Sequence, residues 1–463
     1  MRQIKGVLIG AVVASAVFYI YGMTNRSSFA VSQDAYEKLD IFAKVLYYVE
    51  QNYVDEVNSK DLIYGGIKGM LATLDPHTNF LPPDVFKQMK GDTSGEFGGL
   101  GIEITIRDDV LTIVAPIEDT PAWQAGIQAG DKIVKIDGDS TQGITIIEAV
   151  NKLRGKKGTR VTVTIVREGF EEPKDFTITR EIIRIQSIKE ADLPDGVLYT
   201  KVSTFNEKTT DDLTKVLKNK TSKKGFKGVI LDLRNNPGGL LDQSVEVADL
   251  FLREGVIVST VGRKGKSKEI HYAHKEKTYS GFPMVVLVNG ASASASEIVA
   301  GALQDHKRAL VVGTPTFGKG SVQTVIELTD QSALKLTVAK YYTPNGHSIQ
   351  AKGITPDVVV EQIDMSLLKT EQKKAEKLRM QRERDLPHHI ENGEEPEEMK
   401  KEPKQEPKKE EKGERKKEQL ADLESDFQLQ QAYNYLKTWM LLKGGMKESA
   451  GGTPAAQDKA ASM

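Results

Sequence analysis

The chain has 463 residues, a formal net charge of −1 and 39% hydrophobic residues. That length accommodates two to four domains, and the balanced charge gives no electrostatic reason to expect a nucleic-acid partner. There is no cysteine, which excludes a thiol nucleophile, disulfides and thiolate metal sites.

Arg2 and Lys5 precede an uncharged apolar run over 6–23, which as a helix would span ~27 Å. Residues 1–30 are therefore expected to be a membrane anchor, or else a signal peptide with Ser28-Phe29-Ala30 as a small-x-small cleavage site. Both forms place the remainder outside the cytoplasm. Over 31–93 a helical region is expected, because Leu39, Phe42, Leu46, Val49 and Tyr53 recur at helical spacing. A second helical stretch surrounds 65–74. His77, in the LDPHTNFLPP connection that follows, is assigned no chemistry.

Residues 94–180 read as a small β-rich module. Gly98, Gly99 and Gly101 surround Leu100, and a strand begins at Ile102. Successive amides in such a loop can form a nest for the carboxylate that ends a peptide, which would then add as a strand at the sheet edge. Gly99, Leu100, Gly101 and Ile102 are the candidate tail-binding residues. Arg154 and Arg160 could partner a substrate carboxylate or the core, although most such basic residues stay solvated.

Strands and helices alternate over 181–365, as in an α/β core with a largely parallel sheet. Its centre is the run 284–288, MVVLV, which reads as a strand buried on both faces and is followed by small residues and a helix. A serine at such a junction either caps the helix or attacks a carbonyl, and Ser294-Ala-Ser-Glu297 fits the capping box S-x-x-E. Lys319 lies between Gly318 and Gly320. Desolvation there would disfavour the ammonium, and a neutral lysine can take a proton from a hydroxyl; the alternative is a solvated lysine in a turn. Gln323 would stand ~13 Å from Lys319 on a straight strand, so contact between them requires the chain to curl. Upstream, Asn235-Asn236-Pro237-Gly238-Gly239 ends another buried strand with strong turn chemistry.

After 365 the composition changes. The stretch 366–420 is dominated by Lys and Glu with prolines at 396, 403 and 407, and cannot bury enough apolar surface to fold alone. His388 and His389 within it read as solvated residues rather than metal ligands. Over 421–443, Phe427, Leu429, Ala432, Tyr433, Leu436, Trp439 and Met440 mark an amphipathic helix expected to dock on this chain or on a second protomer. A small-residue polar tail, 444–463, closes the chain.

The segments SASASEI and FGKGSVQ, the DLRNNPGG turn and the AGIQAGDKIVKIDG run together resemble the carboxyl-terminal processing peptidases, also called tail-specific proteases. These are Ser/Lys serine peptidases with an embedded PDZ domain. The resemblance implies a multidomain α/β fold: a crotonase-like protease core with an inserted PDZ domain, N-terminal helices and a C-terminal helix. It implies Ser294 as nucleophile, Lys319 as general base and Gln323 as the residue that orients the lysine. It places one oxyanion donor in the glycine turn, Gly239 in preference to Gly238, and the amide of Ala295, next to the nucleophile, is the other candidate. It implies protein substrates with apolar C-terminal tails and no cofactor, metal or nucleotide, and it is consistent with a homodimer, since some relatives dimerise. Two other readings are a non-catalytic PDZ scaffold and a Ser/His/Asp hydrolase using His306 or His347.

Overall fold

The computed structural model describes residues 33–223, 225–363 and 420–450. The expected export segment over 1–30, nearly all of the charged stretch and the last part of the tail lie outside these residues. Among the described residues no helix is long and apolar enough to cross a membrane. The structure divides into two units, up to Phe80 and from Leu81 onward.

The first unit holds α1 (Gln33–Asn52) and α2 (Ser59–Ala72). Asn58 caps α2 by accepting the Lys60 amide at 2.9 Å, the usual role of an Asn at this position. Gly66 lets α2 approach α1, since a Cβ there would lie 2.9 Å from the Phe42 ring.

The second unit opens with α3 (Pro83–Ser94), which falls almost wholly within the helical region expected over 31–93 and has Pro83 at its first position as a start signal. Strand β1 (Glu96–Gly99) follows, then β2 (Ile102–Arg107), β3 (Val110–Pro116), β4 (Lys132–Ile136), α4 (Ile146–Leu153), β5 (Arg160–Val166), β6 (Lys174–Thr179) and β7 (Glu181–Arg184). Strands β2 to β6 pair in the order β2-β3-β4-β5-β6, so β2 is an edge strand of the module. Leu111, Ile113, Ile133, Val163 and Ile165 fill its interior. Strands β1 and β7 pair antiparallel and form the stem on which the module is inserted, so the module's base reaches four residues beyond the expected boundary at 180.

The core then runs through β8 (Ile188–Leu193), β9 (Val197–Val202), α5 (Thr209–Lys223), β10 (Gly228–Asp232), α6 (Leu241–Asp249), β11 (Val256–Gly262), β12 (Lys268–Tyr272), β13 (Met284–Val288), α7 (Ala295–Asp305), β14 (Leu310–Gly313), β15 (Ser321–Glu327), β16 (Ala333–Tyr342) and β17 (Val358–Val359). The main sheet has the order β8-β9-β10-β13-β14-β17, antiparallel at β8 and parallel elsewhere. Strands β15, β16, β11 and β12 pair antiparallel in that order in a second sheet.

Side-chain alternation on the main sheet separates two cores. Met284, Val286 and Val288 join residues of α5, α6 and α7 on one face. Val285 and Leu287 join Tyr199, Ile230 and Val312 on the other. That second face is covered by α8 (Phe427–Ala450), through Leu429, Ala432, Tyr433 and Leu436. These side chains of the apolar stripe are thus spent within the chain. Leu436 is fully buried and lies against Gly228, where a Cβ would come within 2.9 Å of it. Leu436→Ala should therefore cost about 2–5 kcal/mol of stability. The expected readout is a lower urea midpoint at unchanged slope, and a midpoint equal to the parent's would show that α8 contributes nothing to the fold.

Candidate active site

The main sheet delivers two turns to one place. The strand β13 ends at Val288, and the chain passes through Asn289 and Gly290 into the three serines. Ser292 Oγ donates to the Leu233 carbonyl at 2.8 Å, and Ser296 Oγ donates to the Asn236 carbonyl at 2.9 Å. The flanking serines are thus structural pins. Ser294 stands at φ 55°, ψ −112°, a left-handed conformation that costs a side-chain-bearing residue strain and is held by its surroundings. It is 6% exposed. Tyr341 lines a cavity with Ser294, and burial pushes its phenol up to about 12, a shift that the neighbouring Ser294 side chain opposes.

Glu297 explains how the strained turn is kept. Its fully buried carboxylate accepts the Ser294 amide on Oε2 at 2.7 Å, the arm of the capping box that the pattern predicts. The same oxygen accepts the Lys319 amide at 2.9 Å. Oε1 accepts the Gly318 amide at 2.7 Å and the Thr316 hydroxyl at 2.6 Å. A carboxylate offers about four acceptor positions, and all are used. One oxygen bridges the backbones of Ser294 and Lys319, so the two nitrogens cannot be farther apart than those two hydrogen bonds laid end to end.

The Lys319 ammonium or amine donates to Gln323 Oε1 at 2.6 Å and to the Ser321 carbonyl at 3.4 Å. The curl required by the sequence is present. Gly320 sits so close to Gln350 that a Cβ would be 2.3 Å from its backbone nitrogen, and the register of β15 against β16 shifts between Val322 and Gln323. The bulge turns Gln323 back toward Lys319. Its amide nitrogen donates to Ser321 Oγ at 2.9 Å and Thr337 Oγ1 at 3.2 Å, which fixes Oε1 as the face presented to the lysine.

The DLRNNPGG turn closes the site from the other side. Gly238 donates its amide to Asn236 Oδ1 at 2.9 Å, so Gly239 is the glycine of the turn whose N–H remains to meet a ligand. A Cβ on Gly238 would lie 2.9 Å from both the Ala295 nitrogen and Ser294 Cβ, which places the turn in contact with the serine corner. Gly239 has φ 146°, and a Cβ there would strike the Phe205 carbonyl oxygen at 2.1 Å.

Ser294, Lys319, Gln323, Gly239 and Tyr341 line one cavity of about 750 Å³, with apolar walls from Phe86, Met89, Leu241 and Val322. A larger cleft of about 940 Å³ contains none of these side chains, so size alone does not locate the chemistry. His306 and His347 are absent from the cavity: His306 Nε2 is 2.7 Å from the Val256 carbonyl at the far end of α7, and His347 lines a separate pocket. Among the described residues no group of three or more His, Asp or Glu could hold a metal ion.

In the β-rich module, Leu100 is buried and Gly99 ends β1. The Leu100 carbonyl accepts the Ala122 amide at 3.0 Å. Gly101 has φ 79°, and a Cβ there would collide with the Thr120 side chain. Ile102 opens the edge strand β2, which packs beside α4. Arg154 is tied to Asp92 of α3 at 3.1 Å and stacks over the Phe97 ring. The residues sequence reasoning missed are Tyr341, Thr316 and the bridging half of Glu297's role. Only Glu297 carried a local signal, the capping box.

The family profile of peptidase family S41 matches residues 196–360, and a PDZ domain profile matches 112–167. The profile of the activating protease CtpB N-terminal domain matches 20–84. A carboxy-terminal-processing protease of Bartonella bacilliformis is 46% identical over 362 residues, 76% of this chain and 83% of that one. A carboxyl-terminal-processing protease of Synechocystis is 42% identical over 323 residues, 68% and 75% of the two chains. Carboxy-terminal processing protease CtpA of Bacillus subtilis is 37% identical over 372 residues, 79% of each. With a peptidase profile on the core, a PDZ profile on the inserted module and relatives this similar over most of their length, the chain belongs to the carboxyl-terminal processing proteases, serine peptidases of family S41 that carry a PDZ domain.

Proposed function

We propose that this enzyme holds the C-terminal tail of a protein substrate on its PDZ domain and cuts internal peptide bonds at Ser294, with Lys319 as general base and Gln323 orienting the lysine. The observation that carries the reading is the meeting of Ser294, Lys319, Gln323 and Gly239 on one cavity, with the serine and lysine backbones bridged by Glu297.

The mechanism requires a neutral amine at Lys319 as the proton acceptor. Hydrogen bonds to Gln323 Oε1 and the Ser321 carbonyl take two tetrahedral directions of Nζ. We assign a further one to the Ser294 hydroxyl. Lys319 takes the Oγ proton as Oγ bonds to the scissile carbonyl carbon. The resulting oxyanion accepts hydrogen bonds from the amides of Gly239 and Ala295. The lysine then passes its proton to the leaving nitrogen as the C–N bond breaks. Water, deprotonated by the same amine, hydrolyses the acyl-enzyme. No metal or nucleotide takes part.

A bound tail would extend the module's sheet at β2, its carboxylate at the amides around Gly99, Leu100, Gly101 and Ile102. The apolar cavity walls suit an apolar side chain beside the scissile bond. The segment 6–23 puts the catalytic unit outside the cytoplasm, as anchor or signal, and the enzyme works there as a monomer or a homodimer. Finding the mature chain in the cytosol on cell fractionation would remove this part of the reading.

The test is to incubate the purified protein with an unfolded reporter ending in apolar residues, in Asp-Asp or in Lys-Lys, and to map the cuts by mass spectrometry. The apolar-ended reporter should be cut at internal bonds at least about tenfold faster, the value of ~1.4 kcal/mol of tail discrimination. Equal rates for all three, or stepwise removal of terminal residues, would defeat the proposal.

A further inference from the structure

The turn that carries Gly239 is clamped from a point 192 residues further along the chain. Arg234, 8% exposed, donates through NH1 and NH2 to Asp426 Oδ1 and Oδ2 at 2.9 and 2.6 Å. Its Nε and NH2 also hold Asp232, at 3.0 Å to Oδ1 and 2.7 Å to Oδ2, and Tyr199 donates to the same carboxylate at 2.8 Å. Gln428 Oε1 accepts a further bond from NH1 at 3.2 Å, while its amide nitrogen donates to the Val360 carbonyl at 2.7 Å. Burial alone would raise the Asp426 carboxyl, but the hydrogen bonds and charge of Arg234 outweigh it and hold the group below its ordinary value. A two-pronged guanidinium–carboxylate contact sets orientation as well as distance.

We infer that Asp426 is a positioning residue for peptide hydrolysis, which through Arg234 holds the Gly238-Gly239 turn in register with Ser294. The path between them is short. Two residues after Arg234, the Asn236 carbonyl accepts the Ala293 amide at 3.0 Å and Ser296 Oγ at 2.9 Å, and its side chain accepts the Gly238 amide. Asn235, between them, is bonded to Asn289 through both its amide and its side chain, at 3.0 and 2.8 Å. The turn thus has Arg234 at its base and the serine corner at its tip, and oxyanion donors act only when held close to the developing charge. Asp426 also accepts the Leu429 amide at 3.0 Å, capping α8, so seating the helix and closing the clamp are one event. The match to the peptidase family profile ends at residue 360, before this segment begins.

The inference rests on Gly239 and Ala295 acting as oxyanion donors, and the test separates the two. Asp426→Asn, Asp426→Glu and, as a control, Leu217→Ala, a buried α5 residue on the opposite face of the sheet, are assayed on an apolar-ended reporter beside Ser294→Ala. Asp426→Asn should lower kcat roughly 10- to 100-fold with KM within about twofold, a part of what loss of a whole oxyanion donor costs. Binding of a peptide boronic acid, which forms a tetrahedral adduct on the serine, should weaken by the same factor, and Asp426→Glu should recover most of the loss. Leu217→Ala, assayed well below its own Tm, should keep kcat within about twofold. Should Asp426→Asn not fold, Asp426→Glu and Gln428→Leu give the same readout, a smaller loss in kcat with unchanged KM. Parental kcat in Asp426→Asn, or in Gln428→Leu should Asp426→Asn not fold, a loss confined to KM, or an equal kcat loss in Leu217→Ala would overturn the inference. Cleavage that survives Ser294→Ala would instead overturn the functional reading on which it stands.

Discussion

Ser294→Ala protein is expected to bind C-terminal tails as the parent does and to be all but inactive, with turnover lowered roughly 10⁶-fold, the loss seen when a serine peptidase is deprived of its nucleophile. The reason is geometric. The other two serines of the segment have their hydroxyls committed to the carbonyls of Leu233 and Asn236, so neither can substitute. Alanine removes one oxygen from a corner whose backbone is held by Glu297 and by the DLRNNPGG turn, so the fold should survive. Lys319→Ala should produce nearly the same loss, because in the proposed mechanism serine and lysine act on one proton and their removals do not add. Gln323, its Oε1 left without the lysine, would remain bonded to Ser321 and Thr337. The decisive measurement is single-turnover cleavage of an apolar-ended reporter together with tail affinity by calorimetry. Retained cleavage in Lys319→Ala, with loss in a His306 or His347 variant, would transfer the chemistry to a Ser/His/Asp arrangement. Loss of tail binding in Ser294→Ala would show that the serine corner shapes the PDZ site.

Glu297→Gln is expected to have the second largest effect and to act on stability and rate together. The carboxylate accepts from the amides of Ser294, Gly318 and Lys319 and from the Thr316 hydroxyl, and is fully buried. A glutamine has one oxygen, so its amide nitrogen must face either the Ser294 and Lys319 amides or the Gly318 amide and Thr316. In the first case two donors point at a third; in the second a hydroxyl can turn to accept but an amide cannot. Each buried donor left unpaired costs about 1–3 kcal/mol, so a total of ~2–4 kcal/mol is expected. Since the bridging oxygen sets the spacing between the serine and lysine backbones, kcat should fall on the order of 10²-fold with KM little changed. Urea unfolding and steady-state kinetics on the same preparation test both. Thr316→Val serves as the comparison: it leaves Glu297 three of its four donors but also leaves the buried Ile354 amide, which donates to the Thr316 hydroxyl at 2.7 Å, without that acceptor, and should cost about 1–3 kcal/mol. A Glu297→Gln enzyme with parental kcat would show that the bridge holds the fold but not the reacting groups.

Much of this site is written locally. A serine corner can be read from SASASEI because the strand before it, the small residues and the capping glutamate are consecutive. The pairing of Lys319 with Gln323 is also local, four residues apart, but whether they touch depended on a bulge that neither residue encodes. That bulge comes from the pairing of β15 with β16, between Val322 and Gln323. The PDZ module was legible for the same reason, from its glycine turns and strand alternation, whereas its stem needed β1 to find β7 across the whole insertion.

The amphipathic stripe from Phe427 to Met440 shows that a helix must bury one face, since its apolar side chains have no other way out of water. It does not show which surface receives it. Tyr199, Ile230, Val285 and Leu287 offered that surface only once three strands were laid side by side. Tyr341, Arg234 and Asp426 carry no signal of their role along the chain, because a hydrogen bond or ion pair across 192 residues leaves no period, spacing or turn residue to recognise. Sequence by itself thus determined the class of enzyme and nominated the residues proposed to do its chemistry, through short-range pattern. The tertiary structure alone decided what holds those residues in place, because that work is done by buried polar groups brought together only when the sheet assembles.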